Sequence, residues 1–399
     1  MSRKKILTIV VLTLFALLLF VSETKAQTAT TFVTGLNAPT KIIYAQRRGY
    51  FLVSEGGNAQ VPNSGRISIV TNDGFRSTLI DGLPSGPAPP NNESIGPSAM
   101  WLDGNTLYIA IGGGNETLAG PAPGTEIPNP NPNSPIFSSV LKLNLPADQF
   151  GVDTVISLGG STYRIQPADH TRLANGETLN FGNRKNRATL QMVANFPDYT
   201  PNPRPDVPNN IRNSNPFGLV GFGNKLYVAD AAQNNIRTVS LENGQVETFF
   251  TYPSRPNPLP GPPFVEAVPD SLRLFGNSLL VSTLTGFPFP AGVADIRRID
   301  LESGAESQFI GGLTAAIDVL PVYINGSFSH LFYTLEVSTS ITTGAPGRLQ
   351  RFTSPGVAPT VISNNLISPT SMALHPPSGD LMITEIFPGR ITRISNIPQ

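Results

Sequence analysis

A six-bladed β-propeller is the fold class this sequence predicts, and three observations carry it. A unit on the order of 50 residues recurs, within the range of propeller blades. Its strands alternate apolar and polar residues, the period-two signal of a half-buried sheet. The composition is that of short strands joined by many turns: of 399 residues, 37 are Gly and 39 are Pro, and only 14% are charged, against roughly a quarter in ordinary chains. Proline breaks helices and sits poorly in central strands, so a helical protein is disfavoured.

The first copy of the unit covers residues 31–36, the turn Ala38-Pro39-Thr40, and strands at 51–55 and 65–70. The last covers 359–362, the turn Ser368-Pro369-Thr370, and strands at 381–385 and 389–394. Four more units fit between them, on turns at Gly96-Pro97-Ser98, Asn215-Pro216-Phe217, Val268-Pro269-Asp270 and Ala316-Ile317-Asp318. The interval from Pro97 to Pro216 is about double the others. Gly, Pro and Asn dominate residues 112–135, so the interval reads as an insertion at about 112–187, with 138–143 and 189–193 as the third and fourth strands of the second blade. That gives six four-stranded blades rather than seven. The repeat opens on a fourth-type strand (31–34) and ends on a third-type strand (390–394). The N-terminal strand should therefore complete the C-terminal blade and close the ring, removing long open edges.

Ahead of the repeat, Arg3-Lys4-Lys5 precedes an apolar run over 6–21, and Thr24 and Ala26 are small residues at the positions a signal peptidase reads. Residues 1–26 thus form a secretory signal peptide cleaved between Ala26 and Gln27, with an uncleaved anchor as the alternative. Residues 27–399 form one propeller domain, expected to be secreted or periplasmic. No second apolar run of that length follows, so no stable membrane span is expected after cleavage. Lys+Arg and Asp+Glu are both 27, and no later block of like charge supplies the basic patch a nucleic-acid binder needs. There is no cysteine, which excludes disulfides, thiolate metal sites and thiol nucleophiles.

The stretch Leu284-Thr285-Gly286-Phe287-Pro288-Phe289-Pro290-Ala291-Gly292, following Val265-Glu266-Ala267-Val268-Pro269, resembles the signature of the ScyD/ScyE family of exported propellers. Asn215-Pro216-Phe217-Gly218-Leu219 with Tyr227-Val228-Ala229-Asp230-Ala231 is similar to that family's third blade, and Phe32-Val33-Thr34-Gly35-Leu36-Asn37-Ala38-Pro39 also fits. The resemblance spans nearly all of the mature chain. It implies a fold like the NHL and TolB-like six-bladed propellers, and no assigned reaction. Thr283 stands where the family often has an acid, which weakens any shared acidic site.

Catalytic constellations are sparse. No Gly-x-Ser-x-Gly elbow occurs. His170, His330 and His375 are scattered, without metal-ligand spacing, and read as surface or turn residues; the positioned base of a quinone-dependent dehydrogenase has no support. Gly112-Gly113-Gly114 and the glycines at 218–223 open no helix and imply no phosphate site. The carboxylates are more informative. Aligned second strands place Glu55, Ile111, Asp230, Thr283, Glu336 and Glu385 at one position. Four acids around an axis, with Asn215 nearby, could bind a ligand or hold Ca²⁺, which takes six to eight oxygens, as in propeller lactonases. Alternatively, each acid caps its own turn by accepting backbone N–H bonds. Loops rich in proline, chiefly Phe287-Pro288-Phe289-Pro290 and also residues 256–263 and 129–135, could build a rigid rim for a small molecule, glycan or peptide, or merely stiffen exposed loops. Asn92, Asn115 and Asn325 fit the N-glycosylation pattern. The expectation is a non-catalytic binding scaffold needing no cofactor, with unknown small-molecule, glycan or protein partners; the alternative is a Ca²⁺-dependent hydrolase or lactonase at the channel mouth.

Overall fold

The computed structural model describes residues 27–146, 161–182 and 187–397. The signal segment, with Ala26, lies outside the described residues. Six antiparallel sheets stand in a ring. Their inner strands are Pro39–Ala45, Pro97–Asp103, Pro216–Phe222, Pro269–Phe275, Ala316–Ile324 and Pro369–His375, which number the blades 1 to 6. Each inner strand touches the inner strands of both neighbouring blades.

The second strand of each blade is held between two neighbouring sheets, so both of its faces must be apolar or internally paired. Tyr50–Glu55, Ser278–Thr283 and Asp380–Glu385 are buried at every residue. Outer strands such as Val246–Thr251 stay half-exposed and carry polar residues. Each blade-to-blade seam has its own apolar cluster, six in all around the ring. Burying one Leu, Ile, Val or Phe there contributes about 1.5–3 kcal/mol.

The ring closes as the repeat requires. Thr28–Val33 is antiparallel to Arg390–Ser395, pairing Thr28 with Ser395, Ala29 with Ile394, Thr30 with Arg393 and Thr31 with Thr392. Val33 and Leu36 then pack into the seam between blades 6 and 1, beside Ile42, Phe51, Met382 and Ile391. The Leu36 N–H donates to the Gly389 carbonyl at 2.9 Å.

Two blades exceed the expected four strands. Ser161–Arg164 runs parallel to Arg76–Leu83 on the outside of blade 1, and Leu179–Phe181 pairs with Ala188–Asn195 on the outside of blade 2. The helix Pro167–Ala174 links them, with proline in its first turn and Asp169 accepting the Gln166 N–H. This excursion covers two outer edges that would otherwise present unpaired backbone. Tyr163, Ile165, Leu173 and Leu179 also enlarge the seam between blades 1 and 2.

The histidines divide. His330 is exposed, and His375 sits at a turn with Nδ1 2.7 Å from the Ser378 hydroxyl. His170, expected at the surface or a turn, is fully buried on the helix instead. Its Nε2 lies 2.8 Å from the Gly82 carbonyl, and burial pushes its pKa down. It fastens the helix to blade 1.

Candidate functional site

The aligned acids do occupy one structural position. Glu55 faces Pro39, Asp230 faces Pro216, Glu336 faces Ala316 and Glu385 faces Pro369, each the first residue of its inner strand. In blade 5 the matching turn is therefore residues 315–317, one earlier than the alignment of turn residues put it, because blade 5 lacks the proline that marks the others.

All four acids are fully buried, and their local partners recur. Glu55 accepts the Asn37 N–H, Glu336 the Thr314 N–H, and Glu385 the Ile367 N–H. Asp230, one methylene shorter, takes the Asn215 N–H at 2.8 Å, one residue nearer the strand. Arg66, Arg348 and Arg390 stand directly across on the third strands and pair with the glutamates, while Arg237 pairs with Asp230 at 3.1 Å. The accepted N–H groups flank a backbone position that non-glycine residues resist. Ala38, Ala315 and Ser368 have φ of 50°, 51° and 47°, a left-handed conformation costing roughly 1–2 kcal/mol. The acids pin that turn and so aim each inner strand.

Where the acid is missing, its arginine is missing too. Ile111 faces Ser139. Thr283 faces Asp295, so in blade 4 the acid has crossed to the third strand, where Arg255 and Arg297 each approach it at 2.9 Å. The four acids lie one strand outside the channel wall. Among the described residues no three acidic or histidine side chains converge on a possible metal position.

Inside that ring of acids the inner strands open into a funnel of about 420 Å³. Its wall takes one residue from each blade: Thr40, Ser98, Phe217, Asp270, Ile317 and Thr370. Half of this ring is closed by hydrogen bonds between blades. The Thr370 hydroxyl donates to the Pro39 carbonyl at 2.9 Å, Thr40 to the Pro97 carbonyl at 2.9 Å, and Ser98 to the Pro216 carbonyl at 2.5 Å. Phe217, Asp270 and Ile317 replace the hydroxyl in blades 3, 4 and 5.

Asp270 is 4% exposed, and its Oδ2 has no hydrogen-bond partner. Burial pushes its carboxyl far above the usual range, with only the Leu284 amide pulling the other way. Gly218 permits its position, since a Cβ there would stand 2.1 Å from the Asp270 carbonyl oxygen.

Phe289, Leu284, Ile341 and Phe387 form the upper wall of the funnel. Of the proline-rich rim read from the sequence, Phe289 lines the funnel, and Phe287 stands beside it, 68% exposed, with ring centroids 6.2 Å apart. Pro288, Pro290 and the loops at 256–263 and 129–135 do not line it. Asn215 does, while its Oδ1 accepts the Gly113 N–H at 3.3 Å.

A charged plug separates the funnel from the opposite mouth of the channel. Arg273 donates to Asp318 through Nε at 3.1 Å and Nη2 at 2.6 Å. The Ser271 hydroxyl donates to the same carboxylate, and so does the Met372 N–H at 3.0 Å. Lys41 Nζ donates to Ser271 at 3.1 Å and lies 3.8 Å from Asp318. Burial opposes ionisation of Asp318, but Arg273 and Lys41 hold its carboxyl well below the usual range. Burial, then the Arg273 charge, pulls Lys41 down to about 7 against the attraction of Asp318. Below the plug the second mouth is lined by Lys41, Arg47, Arg48 and Arg273 and by no acid.

The Lys41 value gives a pH dependence whose sign is fixed. An unfolded lysine titrates near ~10.4. Between about 7 and that value the unfolded chain holds a proton that the folded chain lacks, so Lys41 makes stability rise with pH across this window. Lys41→Met removes the buried charge and keeps the volume. Its gain over wild type is expected to be larger at pH 6 than at pH 10, by roughly 4 kcal/mol for the three pH units above the folded pKa of about 7. Denaturant midpoints of the two proteins at both pH values check this; a gain independent of pH would refute it.

Sequence reasoning missed Asp270 and the plug. Asp270 could have been found by comparing turn residues: Thr40, Ser98 and Thr370 are hydroxyl residues at that position, and an acid there breaks the pattern. Asp318 stood in the turn Ala316-Ile317-Asp318, and Lys41 and Arg273 belong to no motif.

No protein-family model matches the chain, and no curated protein matches its sequence. Solved structures are similar in fold. An auxiliary nutrient binding protein from Bacteroides thetaiotaomicron matches with a TM-score of 0.50 at 9% identity, covering 92% of this chain and 76% of that one. One from Bacteroides ovatus matches with a TM-score of 0.48 at 10% identity, covering 93% and 76%. A structural-genomics protein of unknown function from Bacteroides thetaiotaomicron gives 0.48 at 12%, covering 92% and 76%. At these identities the likeness is one of fold alone.

Proposed function

We propose that this chain is an exported propeller of the ScyD/ScyE type, secreted or periplasmic, that acts as a non-catalytic scaffold and takes a small molecule in the funnel. The observation that carries the reading is Asp270: a residue of the wall of an apolar funnel whose buried carboxyl has an unpartnered oxygen. Pockets that bind small molecules are concave and mostly apolar, with a few placed polar groups. An unsatisfied buried acceptor costs about 1–3 kcal/mol, a cost that a ligand can remove. Glu55, Asp230, Glu336 and Glu385 already have arginine and backbone partners, so as calcium ligands they would have to give these up. A protein of similar fold is named for nutrient binding; this accords with the reading and does not carry it.

Titration with the neutral dye Nile red tests the funnel. One dye should bind per chain. Phe289→Ala should weaken it about ten-fold, roughly 1.4 kcal/mol, and Ala345→Trp, at the half-buried mouth, should block it, both with unchanged melting temperature. Equal dye binding by Ala345→Trp would remove the funnel from the reading.

A further inference from the structure

We propose that the ligand of the funnel is an organic cation: an ammonium group set against Asp270, carried on an apolar body that packs against Phe217, Phe289 and Phe387. This rests on the funnel being the binding site and names the ligand class it takes.

The charge lining the funnel is one-sided. Asp270 on the wall and Glu93 at the rim are its ionisable groups, and among the described residues no Lys, Arg or His lines it. An anionic ligand would meet two carboxyls and no counter-charge.

Elsewhere this chain answers a buried acid with an arginine. Glu55 has Arg66, Asp230 has Arg237, Asp318 has Arg273, Glu336 has Arg348 and Glu385 has Arg390. Glu116 has no such arginine, but it accepts the Ser138 hydroxyl at 2.6 Å, couples to Asp198, and does not line the funnel. Asp270 has neither an arginine nor a partner for Oδ2. Asp270 is itself a residue of the funnel wall, so the open volume beside it is the funnel. Asp318 and Asp270 make the contrast plain: both are buried, yet the one with Arg273 against it is held low and the one without a cation is pushed high.

Structural economy does not account for Asp270. A hydroxyl at the same position in blades 1, 2 and 6 bonds the next blade's inner strand. Replacing it with an acid gives up that bond and adds a desolvation cost. A local rule broken without structural compensation marks a functional position. The aromatic side chains complete the site, because their apolar rings take the body of the ligand and their negative faces favour a cation nearby. Phe387 is 67% exposed at the rim, a large apolar surface left in water.

Calorimetric titration of the mature protein with 2-phenylethylammonium and with its uncharged analogue 2-phenylethanol, at pH 7.5, tests the assignment. The ammonium should bind at least ten-fold more tightly than the alcohol. Asp270→Asn should erase that ratio, with ammonium affinity falling at least ten-fold. Asp270→Ser, which copies Ser98, provides a second variant should the first fold poorly. If the alcohol binds as tightly as the ammonium, or the preference survives both variants, the cation assignment falls and the funnel reading stands. If neither compound binds and Ala345→Trp leaves Nile red binding unchanged, both fall. If neither compound binds while Ala345→Trp blocks Nile red, only the cation assignment falls.

Discussion

A chain that begins after Leu36 is expected to aggregate, or to melt far below the chain that begins at Gln27. The strand it lacks, Thr28–Val33, supplies the outer ladder of blade 6, with five paired positions against Arg390–Ser395. Each net hydrogen bond contributes about 1 kcal/mol. Val33 and Leu36 leave the seam between blades 6 and 1 at the same time, which removes about 1.5–3 kcal/mol apiece. The sum is comparable with the whole stability of a typical domain, about 5–15 kcal/mol. Position in the ring makes the loss worse. Neighbouring blades elsewhere are joined by the chain itself, but blades 6 and 1 are not consecutive in sequence, and this strand is what carries the chain of blade 1 into the sheet of blade 6. Its removal also exposes Arg390–Ser395 as an unpaired edge carrying Ile391 and Ile394, a template for intermolecular pairing. Melting by far-UV circular dichroism, with light scattering for aggregation, decides the matter. Equal melting temperatures for the two chains would sink the closure argument.

The closure was legible because it is written in the repeat: a fourth-type strand at one end and a third-type strand at the other. The same holds for the inner and second strands, whose turns and apolar alternation recur blade after blade. What the repeat could not show is whatever departs from it. The fifth strands of blades 1 and 2 and the helix Pro167–Ala174 are single excursions with no second copy to align. The buried role of His170 depends on a contact with Gly82, 88 residues away. At the site, the four aligned acids were the conspicuous signal, and they prove to be arginine-paired turn pins. Asp270 was visible in the turn Val268-Pro269-Asp270, but it differs from Thr40, Ser98 and Thr370 by one side chain in a pattern read for its proline. Regular positions report architecture. The informative residue was the acid among the three that break the register of hydroxyls, and Phe289 reached the funnel wall from a loop whose sequence alone does not fix its direction.

Glu385→Ala is expected to destabilise the propeller by about 2–4 kcal/mol, because it leaves the half-buried Arg390 without its counter-charge and strands the donors that the acid accepted. Those donors are the Ile367 N–H and the Thr392 hydroxyl. The chain itself contains a control. Blade 2 carries Ile111 and Ser139 where blade 6 carries Glu385 and Arg390, so the double variant Glu385→Ile with Arg390→Ser transplants a pair that already works in this fold. Removing both charges abolishes the unpaired ion, and part of the single-variant loss should return. Recovery should be incomplete, with about 1–3 kcal/mol still missing for the unsatisfied Ile367 N–H. The reason lies one residue further on. Blade 6 enters its inner strand through Ser368 at φ 47°, whereas blade 2 uses Gly96, which is not left-handed. A pinned turn needs the acid, and an unstrained turn does not. Adding Ser368→Gly to the double variant relieves the backbone cost of that conformation and should recover part of the remainder. Urea midpoints for the single, double and triple variants, with m-values checked for constancy, separate the two roles of the acid. A double variant as stable as wild type would mean that the glutamate only neutralises Arg390. A single variant costing under about 0.5 kcal/mol, the scale of an ordinary surface substitution, would mean that it does neither. The intermediate result is the one expected from a residue that holds a strained turn with one oxygen and an arginine with both.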